Sequence, residues 1–430
     1  MPKMVRIALY LLFLAGLPGL PAPLSAQEGD PAARFLIEKI TIQGIERGSA
    51  RAIVSAETRL REGETYGEPA LRQAIYRVKR LPFVLDAALS LRRGSERGAY
   101  ELVITVEPTR PVFFLVETGG TILPADLRDR LGGDSFVYSS NASVGVRHFL
   151  GARGLVFASV DKRESSAPTY QAGYTRYNLA GLGSYGSVGV RWSQDDDGFR
   201  DVENTTANAE LGLPLAANHS LRSSFFWARS VGESELTLGE GFGTFEVTSR
   251  SEAWGAGLDW IYDTTDDPVF PTQGEKLIGS VSGSRGESRG EIRPFVPDFL
   301  NDSSDSSLGL SLVGRRHVRL TARQSVAAGA YLSLDGREYE REREAVHDRG
   351  RFFGAGAEGR HSLSLWGFEK TERIGDLRLE SAVFVNYSRA HISYLDDEPS
   401  QTGVTLATSL VFRNAWGILR ASLSYSEDDL

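Results

Sequence analysis

The chain has 430 residues, with 48 Lys and Arg against 56 Asp and Glu for a formal charge of −8, and it contains 46 Gly and no Cys. The mean hydropathy of −0.23, with no second long apolar run, excludes a membrane protein built from several helices. A sequence without cysteine excludes disulfide scaffolds and thiolate chemistry, and the net acidity argues against a nucleic-acid partner.

The N-terminus has the pattern of an export signal. A basic start precedes an apolar run from Ile7 to Leu17, which is too short to span a bilayer. Ser25 and Ala26 offer a small-residue cleavage site, so residues 1–26 are predicted to be a signal peptide, with a membrane anchor as the alternative. An exported chain without further apolar helices can still enter a membrane as a closed barrel, because strands give a weak hydropathy signal.

Residues 34–107 predict a small α+β domain. A β-rich start is followed by two helices, the second of which has Pro69 in its first turn and apolar residues at helical spacing from Leu71 to Val78. Two strands with alternating apolar residues complete the order β-α-α-β-β.

This order resembles a POTRA domain, a periplasmic module that precedes the barrels of outer-membrane assembly and secretion proteins. The resemblance implies that client chains add a strand to an edge of the sheet, a pairing that accepts many sequences because it uses backbone groups. An edge that is simply left unpaired is the alternative. The residues of the implied client edge are Val84, Leu85, Leu89 and Leu91.

Residues 112–430 predict long strands with one apolar and one polar face, as where Val188, Val190 and Trp192 alternate with polar neighbours. Many strands approach the roughly 9–11 residues that cross a membrane when tilted, and aromatic residues gather at strand ends. A soluble sandwich alternates in the same way, but strand length and aromatic placement favour a barrel. The predicted fold is an all-β transmembrane antiparallel barrel of about 14–16 strands, preceded by the small α+β domain.

The segment from Tyr262 to Gly274, Tyr-Asp-Thr-Thr-Asp-Asp-Pro-Val-Phe-Pro-Thr-Gln-Gly, is the most specific motif. Aspartate, proline and glycine at these spacings predict tight reversals, with a calcium site as the alternative for the carboxylates. The segment closely resembles the Asp-rich, Pro-Thr-x-Gly motif of the BamA/TamA-type family of outer-membrane barrels. The residues of this turn motif are Asp263, Asp266, Asp267, Pro268, Pro271 and Gly274.

The string from Arg351 to Phe368 resembles the large extracellular loop of that family, which folds back into the lumen. The loop tip of the family is an Arg-Gly-aromatic triplet, and here the tip is Trp366, Gly367 and Phe368. An aspartate of the family pairs with the tip arginine across the lumen, and here Asn386 stands in its place. Because both charges are absent together, no unpaired charge remains. We therefore expect Trp366 to pack in the lumen with Asn386 nearby, and a mobile loop is the alternative.

Two other patterns are interpreted as structural. The spacing Gly-x-Gly-x-x-Gly begins at Gly181 and at Gly354, but neither instance opens a helix after a strand, so no dinucleotide site is predicted. The charge run from Glu338 to Glu344 is predicted to be a solvated loop stem. We expect no catalytic residue, metal or cofactor, and no enzymatic activity.

The resemblance implies an outer-membrane barrel of the BamA/TamA type with a single POTRA domain in the periplasm. Such a protein assists insertion or translocation of clients, through a weak seam between its first and last strands that opens so that client strands can pair with it. The implied partners are unfolded outer-membrane or secreted client proteins, outer-membrane lipid and periplasmic accessory proteins. The main alternative is a passive channel or structural barrel with a vestigial POTRA domain. An outer-membrane hydrolase and a two-partner secretion transporter are weaker alternatives.

Overall fold

The computed structural model describes residues 34–122, 136–147, 154–163, 166–179, 183–196, 200–216, 218–237, 244–293, 303–341, 346–366, 375–392 and 400–429. The predicted signal peptide lies outside these residues. Within them the chain forms an N-terminal α+β unit followed by a closed barrel of fifteen strands, so the predicted fold is confirmed. None of the helices in the described ranges is long and apolar enough to cross a bilayer.

The N-terminal unit has one strand more than its sequence predicts. Its elements are β1 (Arg34–Gln43), α1 (Gly48–Thr58), β2 (Thr65–Gly67), α2 (Glu68–Lys79), β3 (Val84–Arg93) and β4 (Ala99–Pro108). The additional strand β2 has only 3 residues, too few to show an alternating pattern. The sheet order is β2-β1-β4-β3, so β3 lies at an edge.

The core of this unit lies between the two helices and one face of the sheet. On α2, Leu71, Ala74, Ile75 and Val78 follow the helical spacing and are all buried, which is why this segment forms a helix against a sheet. They pack with apolar residues from α1 and from the strands. The buried cluster includes Ile37, Ile53, Val54, Leu102, Ile104 and Val106.

The barrel contains strands β5 to β19. Their bounds are β5 (Val112–Ile122), β6 (Phe136–Arg147), β7 (Gly154–Arg163), β8 (Thr169–Tyr177), β9 (Tyr185–Asp196), β10 (Arg200–Pro214), β11 (His219–Thr237), β12 (Thr244–Asp263), β13 (Gly274–Arg293), β14 (Ser303–Arg319), β15 (Gln324–Arg341), β16 (Val346–Trp366), β17 (Asp376–Ile392), β18 (Ser400–Asn414) and β19 (Gly417–Asp429). Consecutive strands pair antiparallel, but β19 closes on β5 in parallel. The seam alone differs from the antiparallel pairing of the predicted barrel, because an odd number of alternating strands leaves the first and last running in the same direction.

The barrel wall is uneven in height. Strands β5 to β9 have 9 to 12 residues, whereas β10 to β18 have 15 to 21. The charge run that begins at Glu338 is therefore not a loop at its start, since β15 continues to Arg341. Polar residues at the far end of a strand lack the apolar alternation by which a strand is recognised, so the sequence underestimates the length of these strands.

Many glycines of the barrel accommodate aromatic rings from the neighbouring strand. At five positions facing the lumen, an aromatic residue pairs with a glycine whose added Cβ would lie 2.1–2.6 Å from the ring. The pairs are Phe113 with Gly145, Phe157 with Gly173, Tyr185 with Gly212, Phe226 with Gly255, and Tyr331 with Gly356. Close cross-strand packing, rather than loop flexibility, explains this part of the glycine content.

The prediction that the string from Arg351 belongs to an in-folded loop is wrong over residues 351–366. The string that begins at Arg351 lies within β16, which pairs with β15 and β17 along its length. The resemblance to a family loop predicted this segment as a loop, but Gly356 receives the ring of Tyr331 inside a sheet. Gly354 lies in the same strand, and not in a turn that opens a helix.

The predicted packing of Trp366 near Asn386 is wrong as well. The backbone of Trp366 pairs with Leu377, and Asn386 lies about 30 Å further along β17. Gly367 and Phe368 lie outside the described residues.

Candidate functional site

The N-terminal unit lies at one end of the barrel, here called the near mouth. Arg80, just after α2, donates to the Asp263 carboxylate and to the Thr265 carbonyl, both at 2.9 Å. The Gln273 side-chain amide donates to the Tyr76 hydroxyl at 2.6 Å. The barrel residue Arg147 donates to the Pro82 carbonyl at 2.7 Å. Burial lowers the pKa of Arg80, and the Asp263 carboxylate acts in the opposite direction.

Residues 264–273, which connect β12 to β13 at the near mouth, are here called the strap. Two aspartates of the predicted turn motif fold this segment. Asp267 accepts from the backbone N–H of Val269 at 2.8 Å and of Phe270 at 2.7 Å. Asp266 accepts from the backbone N–H of Thr272 at 2.8 Å and of Gln273 at 3.1 Å. The short side chain of aspartate reaches its own backbone in this way, which explains the residue type at both positions.

The strap does not form a tight hairpin between β12 and β13 but extends across the mouth to β17 and β18. Arg413 on β18 donates to both carboxylate oxygens of Asp267 at 2.9 Å and to Asp376 at 3.1 Å. Phe270 is only 2% exposed, and its ring lies 4.4 Å from the guanidinium carbon of Arg378 and 4.8 Å from that of Arg413. These arginines belong to β17 and β18, four and five strands away from β13 in the sheet.

Arginines balance the strap carboxylates. Arg319, at the end of β14, lies 3.0 Å from Asp266, and Arg413 pairs with Asp267. This arrangement favours the turn interpretation over the calcium alternative. Burial alone would raise the pKa of Asp267, but Arg413 and the backbone donors hold it below its ordinary value. Because that pKa is lowered, the contribution of Asp267 to stability is present at neutral pH and is lost as the pH falls through the lowered value.

Gly274, the residue directly after the strap, has a backbone conformation that other residues rarely adopt. Its φ is +104°, and an added Cβ would lie 2.5 Å from the Thr264 carbonyl oxygen. We expect Gly274→Ala to lower the free energy of unfolding by about 1–3 kcal/mol, measured by urea titration of the barrel in lipid vesicles. Gly359→Ala is the control, because nothing lies within 4 Å of its added Cβ. Equal losses in both variants would contradict the strain at Gly274.

A cavity of 810 Å³ lies between the strap, the β18–β19 turn and the N-terminal unit. Leu85 and Asp86 of β3 line it together with Phe270 and Trp416. A second cavity of 380 Å³ forms an apolar groove between α2 and β3, lined by Leu71, Ile75, Tyr76, Ala88, Leu89 and Leu91. The edge strand β3 therefore borders the groove along one part and the mouth cavity at its start.

The predicted client-edge residues occupy different positions on β3. Leu89 and Leu91 line the groove, whereas Leu85 faces the mouth cavity beside a break in the register with β4. Val84 is 6% exposed and belongs to the core of the unit, so its side chain does not contribute to an open surface.

The seam joins β19 to β5 from Gly417 to Tyr425, less than half the length over which β11 pairs with β12. Parallel pairing is also slightly less stable per residue than antiparallel pairing. The side-chain oxygens of Thr121 and Ser424 lie 2.9 Å apart across it, and the Arg420–Glu117 pair, 3.7 Å apart, is partly exposed.

Sequence reasoning did not identify Phe270, Arg378, Arg413 or Tyr76 as site residues. The arginines stand at strand ends with no local signal for a distant partner, and only the register of the barrel brings them to the strap. No group of three or more His, Cys, Asp or Glu that could hold a metal occurs in the described part of the chain.

No protein-family model and no curated protein matches the chain. Among solved structures it is similar to BamA from Haemophilus ducreyi lacking POTRA domains 1–3, with 12% identity, 92% of this chain and 85% of that chain covered, and a TM-score of 0.41. It is also similar to CdiB from Acinetobacter baumannii, with 11% identity, coverage of 92% and 74%, and a TM-score of 0.37. CdiB from Escherichia coli gives 13% identity, coverage of 96% and 90%, and a TM-score of 0.35.

Proposed function

We propose that this chain is a bacterial outer-membrane barrel that receives unfolded client proteins at the edge of β3 and assists their insertion or translocation. The observation that carries the proposal is the position of β3. It is an edge strand that borders the apolar groove, and its start opens into the cavity at the barrel mouth. A polypeptide held along β3 would be delivered to the mouth without leaving the edge.

The free edge of β3 suits a partner of variable sequence. A strand added there would bond to backbone groups, while the groove would accept alternate apolar side chains. Unfolded barrel strands have this alternation. The N-terminal unit on this interpretation lies in the periplasm, where such chains arrive, and periplasmic accessory proteins remain further proposed partners.

The outer surface of the barrel supports a membrane location. Large apolar side chains are strongly exposed on many strands, including Val144 at 55%, Val188 at 56% and Leu308 at 61%. In water such a surface would be an aggregation site. The stretch of β12 from Trp254 to Tyr262 spans about 20 Å along the barrel axis if the strand has the usual tilt of barrel strands. The apolar band of a transmembrane barrel is roughly 25 Å tall, which is close to this height.

A substitution at Leu310 on β14 tests the membrane location. Leu310 faces outward and is 47% exposed. It lies halfway between the residues of β14 that are level with Trp254 and with Tyr262. We expect Leu310→Arg to lower the free energy of folding into lipid vesicles by about 2–4 kcal/mol, since a charge would enter the middle of the bilayer. Ser311→Arg, on the lumen side of the same strand, is the control and is expected to have a smaller effect. Similar losses in both variants would argue against lipid contact at Leu310.

Opening of the seam is the proposed insertion step. The paired length at β19 and β5 is short, and the strands β5 to β9 beside it are the shortest of the wall. Separating these two strands would break few hydrogen bonds and expose two edges on which a client strand could pair.

A passive channel is the second candidate, favoured by the polar lumen wall. Arg360 lies 3.8 Å from Glu358 and 3.6 Å from Glu380, and Arg315 also pairs with Glu358. Charged interiors of this kind occur in barrels that conduct water and solutes.

Depletion of the protein distinguishes the two candidates. If it handles clients, quantitative proteomics of the outer membrane should show a loss of particular barrels or surface proteins, while solute uptake is retained. If the proteome is unchanged and uptake of small solutes falls, the client function is wrong and the channel is favoured.

A further inference from the structure

The groove and the strap share one helix. The ring of Tyr76 on α2 lines the apolar groove, and its hydroxyl accepts the hydrogen bond from Gln273 at the end of the strap. Arg80, one turn further on, binds Asp263 and Thr265 at the start of the strap. The segment that forms one wall of the groove therefore holds both ends of the strap.

The strap is the part of the mouth that such a helix could move. It reaches the opposite wall through Asp267 and the buried Phe270. Its contacts to α2 and to Arg80 just after it are the 2.6 Å bond from Gln273 to Tyr76 and the two 2.9 Å bonds from Arg80 to Asp263 and Thr265, and each is lost when donor and acceptor separate beyond about 3.5 Å. A displacement of α2 by about one ångström would therefore break these bonds, and a displacement of that size is common for packed helices.

We propose that Tyr76 couples occupancy of the groove to the strap, so that an extended chain bound along β3 releases the strap and opens the near mouth. The inference rests on the proposed client function and adds its regulation. Side chains entering the groove contact the Tyr76 ring and separate α2 from β3, and this draws the hydroxyl away from Gln273. Without a bound chain, the strap stays across the mouth and the barrel stays closed to small solutes.

Such a coupling is reciprocal. If a bound chain favours the released strap, then weakening the strap must favour the bound chain by the same factor. Tyr76→Phe keeps the ring in the groove and removes only the acceptor for Gln273. Gln273→Ala removes the donor and changes no residue that lines the groove. Both variants are expected to bind an extended peptide about fivefold more tightly, at the lower end of usual coupling.

The test uses the full chain in planar bilayers and a fluorescein-labelled peptide as long as β3, 10 residues, with alternating valine and lysine. Peptide affinity is measured by fluorescence polarisation and mouth opening by conductance on the same preparation. Tyr66→Phe is the matched control, since its hydroxyl bonds to Glu64 and Arg61 within the N-terminal unit and not to the strap.

We expect the peptide to raise the conductance of the wild type and of Tyr66→Phe. The conductance of Tyr76→Phe and Gln273→Ala should be raised before peptide is added. Binding of the peptide without a change in conductance would overturn the coupling and leave the client function standing. A Tyr76→Phe variant that behaves like Tyr66→Phe would also overturn it, and a failure of the peptide to bind would overturn both proposals.

Discussion

Arg413→Gln is expected to lower the free energy of unfolding by about 3–5 kcal/mol and to raise the conductance of the barrel. Arg413 is 12% exposed and binds two carboxylates, Asp267 and Asp376. Glutamine removes the ion pairs of Arg413 with both carboxylates and the contact of its guanidinium with the Phe270 ring. The loss is measured by urea titration in vesicles, and mouth opening by single-channel recording.

Arg420→Gln is the matched control for this variant. It removes a second arginine of the lumen wall, whose pair with Glu117 spans 3.7 Å with side chains 36% and 41% exposed. Exposed pairs of this kind contribute about 0–1 kcal/mol, so a small effect is expected. Equal losses in the two variants would mean that the strap is not anchored at Arg413.

A disulfide across the seam is expected to abolish client insertion while leaving the barrel folded. The natural chain has no Cys, so Thr121→Cys with Ser424→Cys introduces the only pair. Oxidation would tie β5 to β19 and prevent the separation that insertion requires. Insertion of a newly added barrel protein into vesicles is measured before and after reduction, which should restore it.

Thr405→Cys with Ser426→Cys is the control for the seam. The two hydroxyl oxygens lie 3.0 Å apart between β18 and β19, a pair that the proposed mechanism does not separate. If the oxidised control loses as much insertion as the oxidised seam variant, or if neither loses any, opening at the seam is wrong.

The sequence predicts the two-part architecture because its signals are local. The alternation that includes Val188 and Trp192 identifies barrel strands, and the spacing of Leu71, Ile75 and Val78 identifies α2. The aspartates of the strap and Gly274 directly after it indicate a reversal, because aspartate accepts hydrogen bonds from its own local backbone and glycine adopts a positive φ without strain. Each of these features is decided within a few residues of chain.

The rest depends on register across the barrel. Phe270 looks like an ordinary turn residue until Arg378 and Arg413 are brought to it from strands more than a hundred positions later. Gly356 gives no sign of the ring that it accommodates until Tyr331 is placed opposite it. The seam is parallel because the number of strands is odd. The patterns of the individual strands do not establish whether the total is odd or even.

The central claim, that clients bind along the edge of β3, is tested most directly by photocrosslinking in living cells. A photoreactive benzoylphenylalanine replaces the exposed Ser90 on β3, or the exposed Thr65 on β2 at the opposite edge of the same sheet. We expect unfolded outer-membrane or secreted chains to crosslink at position 90 during export and not at position 65. Equal crosslinking at both positions, or none at position 90, would contradict the claim.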